Sequence, residues 1–146
     1  MNERNKQTVL EFIEAFSRGD GDATKACLAP GACAVAKGFG KLSATRSYED
    51  MVANAAAFKE LIPTGLRPNV KSVIADGDRV AVEFEGDATL ANGERYCNQY
   101  CFVFTLQDGK IKVLHEYFCT ILADQKIGPL LTAVETQRKS AKEQSP

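Results

Sequence analysis

The sequence predicts an α+β domain in which three N-terminal helices pack on one face of a curved, mainly antiparallel sheet. The main observation is a series of turn dipeptides sixteen residues apart: Asp76-Gly77, Asn92-Gly93 and Asp108-Gly109. Such dipeptides tolerate positive φ and reverse a hairpin, and the stretches between them are rich in Val, Phe, Tyr, Thr and Ile. Apolar residues at helical spacing precede these turns. Helices followed by consecutive antiparallel strands are typical of the α+β class.

Two helices are predicted before the first strand. The first spans about residues 3 to 18, where apolar side chains recur three and four residues apart until Gly19 ends the helix. Those side chains are Val9, Phe12, Ile13 and Phe16. The second helix is short, because Asp20 or Asp22 can cap its start and Pro30-Gly31 stops it.

A third helix is predicted after a brief strand, residues 33 to 36, and a loop, residues 37 to 44. Ser47 and Asp50 have the spacing of a capping box. The buried side of this helix carries Met51, Ala55, Phe58 and Ile62.

Four strands are predicted next, at about residues 66 to 76, 79 to 90, 94 to 106 and 110 to 121. We expect one domain over residues 1 to 124 and a C-terminal extension over residues 125 to 146. In the extension, Leu130, Leu131 and Val134 indicate a weak helix, and the polar residues 135 to 146 indicate a disordered tail.

Composition limits the classes of function. With 146 residues, 45% of them hydrophobic, the chain can bury a core without metals or disulfides. Eighteen basic and nineteen acidic residues give a net charge of −1, which does not fit a nucleic-acid-binding surface. No apolar run approaches the ~20 residues of a membrane span, and the N-terminus lacks the apolar core of a secretory signal. We expect a cytoplasmic protein without nucleic-acid or membrane partners.

The cysteines are predicted to be reduced thiols. They are five in number: Cys27, Cys33, Cys97, Cys101 and Cys119. Neither CxxC spacing nor a pair of His completes a zinc site, and Cys97 and Cys101 lie about 13 Å apart along one strand. We expect no metal and no cofactor. A reactive thiol at Cys97 or Cys119 would need an exposed position beside a cation.

Side-chain alternation separates the two faces of each strand. On the strand 94 to 106, the bulkier set should face the helices: Tyr96, Asn98, Tyr100, Phe102, Phe104 and Leu106. On the last strand the residues alone leave two choices for the inward set. The choice lies between Leu114, Glu116 and Phe118 on one side and Val113, His115, Tyr117 and Cys119 on the other.

The chain resembles the SnoaL-like and ketosteroid-isomerase-related branch of the nuclear transport factor 2-like superfamily over about residues 6 to 124. The most specific element is the turn Asp-Gly-Lys-Ile at 108 to 111 and the segment His-Glu-Tyr-Phe-Cys-Thr at 115 to 120, where relatives have Arg/His-Glu/Asp-Tyr-Phe-Asp-Thr. The resemblance implies a cone-shaped half-barrel whose helices and concave sheet enclose a hydrophobic pocket. It also implies a homodimer through the convex sheet face, with Leu114, Glu116 and Phe118 turned inward.

The catalytic sets known in the family are not preserved. Ketosteroid isomerases use a carboxylate base, a Tyr and a neutral acid. The Tyr, base and acid positions fall on Phe12, on or next to Ala36, and on Phe102, so we expect no steroid isomerase activity. The Asp, Arg and Asp of limonene epoxide hydrolase fall on Phe84, Gly86 and Glu116. Polyketide cyclases of the SnoaL type use an acid and a His near the pocket, whereas His115 here points outward.

Glu116 is the candidate acid/base, with Tyr100 and Asn98 as candidate orienting donors. Burial should raise the pKa of Glu116 and so suit proton transfer near neutral pH. Alternatively, Glu116 hydrogen-bonds Asn98, Tyr100 or a backbone amide and closes a polar layer of the core. The expected pocket-lining residues are Phe12, Phe16, Phe58, Phe84, Phe102, Phe104, Leu114 and Phe118.

Two hypotheses of different classes follow. The first is a pocket for a small apolar or aromatic metabolite that supports cofactor-free proton transfer, of the isomerase, cyclase or dehydratase type. The second is a ligand-binding or assembly module without catalysis. Its interface candidates are Cys101, Val103, His115 and Tyr117.

Overall fold

A computed structural model describes residues 2–132 of the protein. Along the chain, the elements are α1 (Asn2–Ser17), α2 (Gly21–Ala26), β1 (Leu28–Ala36), β2 (Ala44–Arg46), α3 (Tyr48–Leu61), β3 (Arg67–Asp76), β4 (Arg79–Thr89), β5 (Arg95–Gln107), β6 (Lys110–Phe118) and α4 (Thr120–Lys126).

The six strands form one sheet in the order β2-β1-β6-β5-β4-β3. All neighbours are antiparallel except β1 and β6, which run parallel. Helix α1 packs on β3, β4 and β6, and α3 packs on β1 and β2. The α+β class, with N-terminal helices on one face of a curved, mainly antiparallel sheet, is confirmed.

The residues predicted to cap the N-termini of α2 and α3 form the expected hydrogen bonds. The Asp20 side chain caps α2 by accepting a hydrogen bond of 3.0 Å from the backbone N–H of Ala23. Ser47 and Asp50 form the complete capping box of α3, with two reciprocal hydrogen bonds of 3.2 Å. Each bond satisfies an N–H group that lacks a partner inside the helix.

The first strand is longer than expected. β1 begins at Leu28, which pairs with Ile111, and pairing resumes at Cys33 after an irregularity in the register. Pro30-Gly31 lies in this irregular part, where Gly31 has a φ of +71°. The prediction that these residues end α2 was therefore wrong, because the helix ends at Ala26.

Two further boundaries differ near the open end of the sheet. The expected loop of residues 37 to 44 leads into the short edge strand β2, which begins at Ala44, and β6 ends at Phe118 instead of continuing to residue 121. Helix α4 replaces the end of the expected strand, and Ala123 within it and Ile127 directly after it, four residues apart, are both buried. Residues 128–132 are also helical, whereas Val134 and the expected tail lie outside the described residues.

The three glycine turns determine how the sheet is connected. Gly77, Gly93 and Gly109 all have positive φ, as a tight reversal between the strands requires. The resulting register buries Tyr96, Asn98, Phe102, Phe104 and Leu106 on the helix-facing side of β5. No helix among residues 2–132 is long and apolar enough to cross a membrane.

Candidate functional site

A cavity of about 340 Å³ lies between the helices and the concave face of the sheet. Residues of α1, α3, β4, β5 and β6 form its walls, and the segment between β1 and α3 contributes Lys41, Leu42, Ala44 and Arg46. Ile127 and Leu131 close it from the C-terminal side. Small-molecule pockets span about 300–1,000 Å³, so the space suits a small ligand.

The walls are mainly apolar, and eight of the lining residues are aromatic. Phe84 and Tyr100 are stacked with ring centroids 4.8 Å apart and an angle of 9° between their planes. Phe16 of α1 meets Phe58 of α3 at 5.1 Å. Of the lining residues expected from the sequence, six contribute to the cavity: Phe12, Phe16, Phe58, Phe84, Phe102 and Phe118.

Phe104 and Leu114 do not line the cavity, contrary to expectation. They are opposite each other on β5 and β6, and both are almost completely buried. The ring of Phe12 lies edge-on to that of Phe104, with centroids 5.8 Å apart. Both residues therefore belong to the packed core and do not border the cavity.

Glu116 is in the cavity wall. On the concave face it lies opposite Phe102 of β5 and Ala36 of β1. Desolvation raises the pKa of its carboxyl group, and the nearby guanidinium of Arg46 opposes that rise. Protein atoms surround most of the side chain, while part of its surface is reached from the cavity. No donor among residues 2–132 forms a hydrogen bond to this carboxyl group. Within the same residues every fully buried side-chain N or O atom has a partner, so the unpaired oxygens of Glu116 are not fully buried and face the cavity.

Arg46 is a cavity residue that the sequence analysis missed. It lies on β2 opposite Ala34, and its Nη2 donates a hydrogen bond of 3.2 Å to the carbonyl oxygen of Leu42. A three-residue strand inside a polar loop has too few positions for alternation to reveal it. The local signal nearest to Arg46 is the capping box of α3, which begins at the next residue, Ser47, and indicates that regular structure starts there.

Tyr100 lines the cavity beside Glu116, whereas Asn98 does not. Burial is the main cause that keeps the pKa of Tyr100 well above its usual range, with smaller contributions from Tyr96 and Glu116. The Nδ2 of Asn98 donates to the Tyr96 hydroxyl at 2.7 Å and to the Cys119 carbonyl at 3.1 Å. With both donors used, Asn98 is not available to a ligand, and Tyr96, which the sequence analysis had placed only on the inward face, reaches the cavity in its place.

The interface candidates lie on the opposite face of the sheet. Cys101 pairs with Tyr117, and Val103 pairs with His115, across β5 and β6. All four are partly or fully exposed, and none lines the cavity. The inward set of the last strand is therefore the one that contains Glu116, as the resemblance implied.

The exposed thiol of Cys97 is beside a cation but is not activated. Its Sγ donates a hydrogen bond of 3.2 Å to Oδ1 of Asp87, and the same carboxylate pairs with Arg95 and Arg67. The bond to Asp87 raises the pKa of Cys97, which disfavours the thiolate. All five cysteines are free, and residues 2–132 contain no cluster of three or more His, Cys, Asp or Glu suited to a metal ion.

The chain is similar to known proteins in its family and in its fold. Residues 9–114 match the family described as the SnoaL-like domain. No curated protein matches the chain significantly in sequence.

Three solved structures with similar folds are each less than 25% identical to this chain. An NTF2-like protein of unknown function from Burkholderia pseudomallei K96243 is 24% identical with a TM-score of 0.73, over 85% of this chain and 97% of that one. TerC, co-crystallised with polyporic acid, is 21% identical with a TM-score of 0.72, over 86% and 98%. An LEH-like epoxide hydrolase from M. tuberculosis is 18% identical with a TM-score of 0.69, over 92% and 98%.

Proposed function

Because the chain belongs to the SnoaL-like domain family, we propose that its cavity binds a small apolar or aromatic metabolite and catalyses cofactor-free proton transfer with Glu116 as the acid/base. Isomerisation, cyclisation and dehydration all include such a step. The structural neighbours of this fold include a protein crystallised with polyporic acid and an epoxide hydrolase, which supports a small-molecule ligand.

The observation that carries the proposal is the state of the Glu116 carboxyl group. A carboxyl group with a structural role would accept hydrogen bonds from its neighbours, because a buried polar group without partners is costly. Glu116 instead borders open space and accepts no hydrogen bond within residues 2–132. Its raised pKa makes the carboxylate a stronger base than an exposed glutamate.

The proposed step begins with a ligand C–H group next to a carbonyl. The Glu116 carboxylate takes the proton, the electron pair of the C–H bond moves toward the carbonyl oxygen, and the protonated Glu116 later returns the proton to carbon. A hydroxyl donor beside the developing enolate oxygen lowers the barrier. Tyr100 supports this role because it lines the same cavity and its high pKa keeps it protonated.

Deuterium exchange tests the proposal without knowledge of the natural substrate. 2-Tetralone, a flat ketone with acidic C–H groups, is incubated with the protein in D2O, and deuterium uptake is followed by mass spectrometry. We expect Glu116→Gln to slow the protein-dependent exchange by about 10²–10⁴-fold, because the general base is lost. Tyr100→Phe should slow it less, and binding measured by calorimetry should persist in both variants.

His115→Gln is the matched control, since His115 neighbours Glu116 in sequence but lies outside the cavity. Its exchange rate should equal that of the wild type. Equal rates in the wild type and Glu116→Gln would contradict the catalytic role. Binding without any protein-dependent exchange would favour the alternative, a ligand-binding module without catalysis.

We also propose that the outer face of the sheet forms a homodimer. One cross-strand row on this face contains Val35, His115, Val103, Ala81 and Ile74, in neighbouring positions of five strands. Four of these five side chains are apolar, and Ile74 is 64% exposed. A second copy of the same face would bury this row, as self-complementary interfaces do in twofold dimers.

A further inference from the structure

The cavity carries an unusual balance of charge for a pocket with apolar walls. Its charged lining residues are Lys41, Arg46 and Glu116. Neither cation forms an ion pair with a carboxylate of residues 2–132. Burial raises the pKa of Glu116 and so disfavours its negative charge, whereas two of the three charged groups are cations. Positive charge therefore dominates inside the cavity.

Arg46 has unused hydrogen-bonding capacity. A guanidinium group has five N–H donors in a rigid fork. One is used on the Leu42 carbonyl oxygen, and the remaining four have no acceptor among the described residues. Because the side chain is partly buried, a ligand that occupies the cavity would shield it further from water and strengthen its electrostatic contacts.

The neighbours of Arg46 leave room for a ligand group. Arg46 is opposite Ala34, and Ala36 is flanked by Ala44 on one side and Glu116 on the other. Alanine side chains do not extend beyond Cβ, so the sheet surface between the guanidinium and the carboxyl group carries only small side chains. The aromatic part of the cavity, with Phe84 and Tyr100, begins on the neighbouring strands β4 and β5.

Lys41 is held at the rim by its backbone. Its N–H donates a hydrogen bond of 2.8 Å to Oδ1 of Asp124 in α4. The side chain is exposed and contributes to the lining of the same cavity. An exposed ammonium is well hydrated, so it attracts an anion at long range more than it fixes its orientation.

We propose that the natural ligand is an apolar or aromatic molecule with one carboxylate group. Arg46 binds this carboxylate above Ala34, Ala36 and Ala44, while the aromatic rings of the cavity contact the apolar part. This inference rests on the proposed ligand-binding function and specifies its substrate class. A planar carboxylate matches the guanidinium fork in two parallel hydrogen bonds. Lys41 assists entry of the anion and is not the group that fixes it.

Matched pairs of probes test this inference by titration calorimetry. The pairs are benzoate with benzamide and 2-naphthoate with 2-naphthamide, which differ in charge but hardly in shape. In the wild type we expect at least one acid to bind about tenfold to hundredfold more tightly than its amide, as for hydrogen bonds to charged groups. Arg46→Gln should abolish this preference and leave the amide affinity unchanged, whereas Lys41→Gln should keep most of it.

The outcomes separate this inference from the proposed function. If acids and amides bind equally to the wild type, the carboxylate preference is refuted while an apolar ligand cavity stands. If 2-tetralone binds but none of these probes does, the carboxylate preference is refuted and the proposed function stands; if 2-tetralone does not bind either, both proposals are refuted. A preference that survives Arg46→Gln but disappears in Lys41→Gln would refute the assignment to Arg46. Arg46→Lys, which keeps the charge without the fork, should retain only part of the preference, and its thermal unfolding checks that the fold is intact.

Discussion

Arg46 and Glu116 face one cavity from the two strands that flank β1, and the guanidinium counteracts the effect of burial on the carboxyl group. Arg46 is opposite Ala34 and Glu116 is opposite Ala36, two positions further along the same strand. They do not form an ion pair. Each therefore remains available to a ligand while its charge affects the other.

Replacement of Arg46 should change the titration of Glu116. Arg46→Gln removes the positive charge that favours the carboxylate, so we expect the pKa of Glu116 to rise further. Carboxyl ¹³C NMR measures this, with the Glu116 signal identified by its loss in Glu116→Gln. Arg95→Gln is the control, because Arg95 pairs with Asp87 and is no cavity residue. An unchanged Glu116 pKa in Arg46→Gln would refute the interaction.

Stability should depend on pH through Glu116. Because burial raises its pKa above the ordinary value of 4.5, the folded state holds this proton more tightly than the unfolded state does. The resulting stabilisation is complete below pH 4.5 and is lost as the pH rises through the folded-state pKa. Glutamine has no charge to lose. We therefore expect Glu116→Gln to gain stability relative to the wild type as the pH rises over this window.

Urea unfolding of both proteins at a series of pH values measures this difference. The lowered pKa values of Asp20 and Asp87 act in the opposite direction, but they are common to both proteins and cancel in the comparison. A pH-independent difference between wild type and variant would mean that Glu116 titrates normally.

Filling the cavity should block the ligand without harming the fold. Ala57 lines the cavity from α3, whereas Ala55 on the same helix is completely buried in packed surroundings. Ala57→Leu should keep the stability of the wild type and abolish binding of 2-tetralone. Ala55→Leu should instead lose about 1–3 kcal/mol through overpacking. Thermal unfolding and calorimetry compare the two, and equal destabilisation would show that the space beside Ala57 is not open.

The hydrogen bond between Asn98 and Tyr96 should contribute to stability. Asn98→Ala removes the donor from the Cys119 carbonyl and from the Tyr96 hydroxyl, and we expect a loss of about 1–3 kcal/mol. Tyr96→Phe removes only the acceptor. A double-mutant cycle by urea unfolding isolates the coupling between them. Strictly additive losses would contradict a direct interaction in solution.

The proposed homodimer can be tested by a charge on the outer face. Val103 lies in the middle of the apolar cross-strand row and is only partly buried. Val103→Arg should convert the dimer to a monomer in light scattering, with little change in thermal unfolding. Gln107→Arg, at the exposed end of the same strand and face, should remain dimeric. A monomeric wild type would refute the proposal directly.

Local signals in the sequence determined most of the fold. The turns at Gly77, Gly93 and Gly109 and the capping box at Ser47 depend on residues within a few positions of each other, so they can be read from a single chain. The same holds for alternation along β5, which assigned Tyr100 and Phe102 to the concave face. Glu116 was identified only with help from the family resemblance, because the residues alone left two registers for the last strand.

Tertiary structure decided the details of the cavity. That Arg46 faces Glu116 depends on pairing between β2, β1 and β6, which are far apart in the chain. That Phe104 and Leu114 are core residues and not cavity residues depends on how the helices pack on the sheet. Asn98 reaches the Cys119 carbonyl because β6 ends at Phe118 and Cys119 precedes α4, where a longer strand was expected. Side-chain alternation gives the face on which a residue lies, whereas its burial depth and partners depend on how distant segments pack.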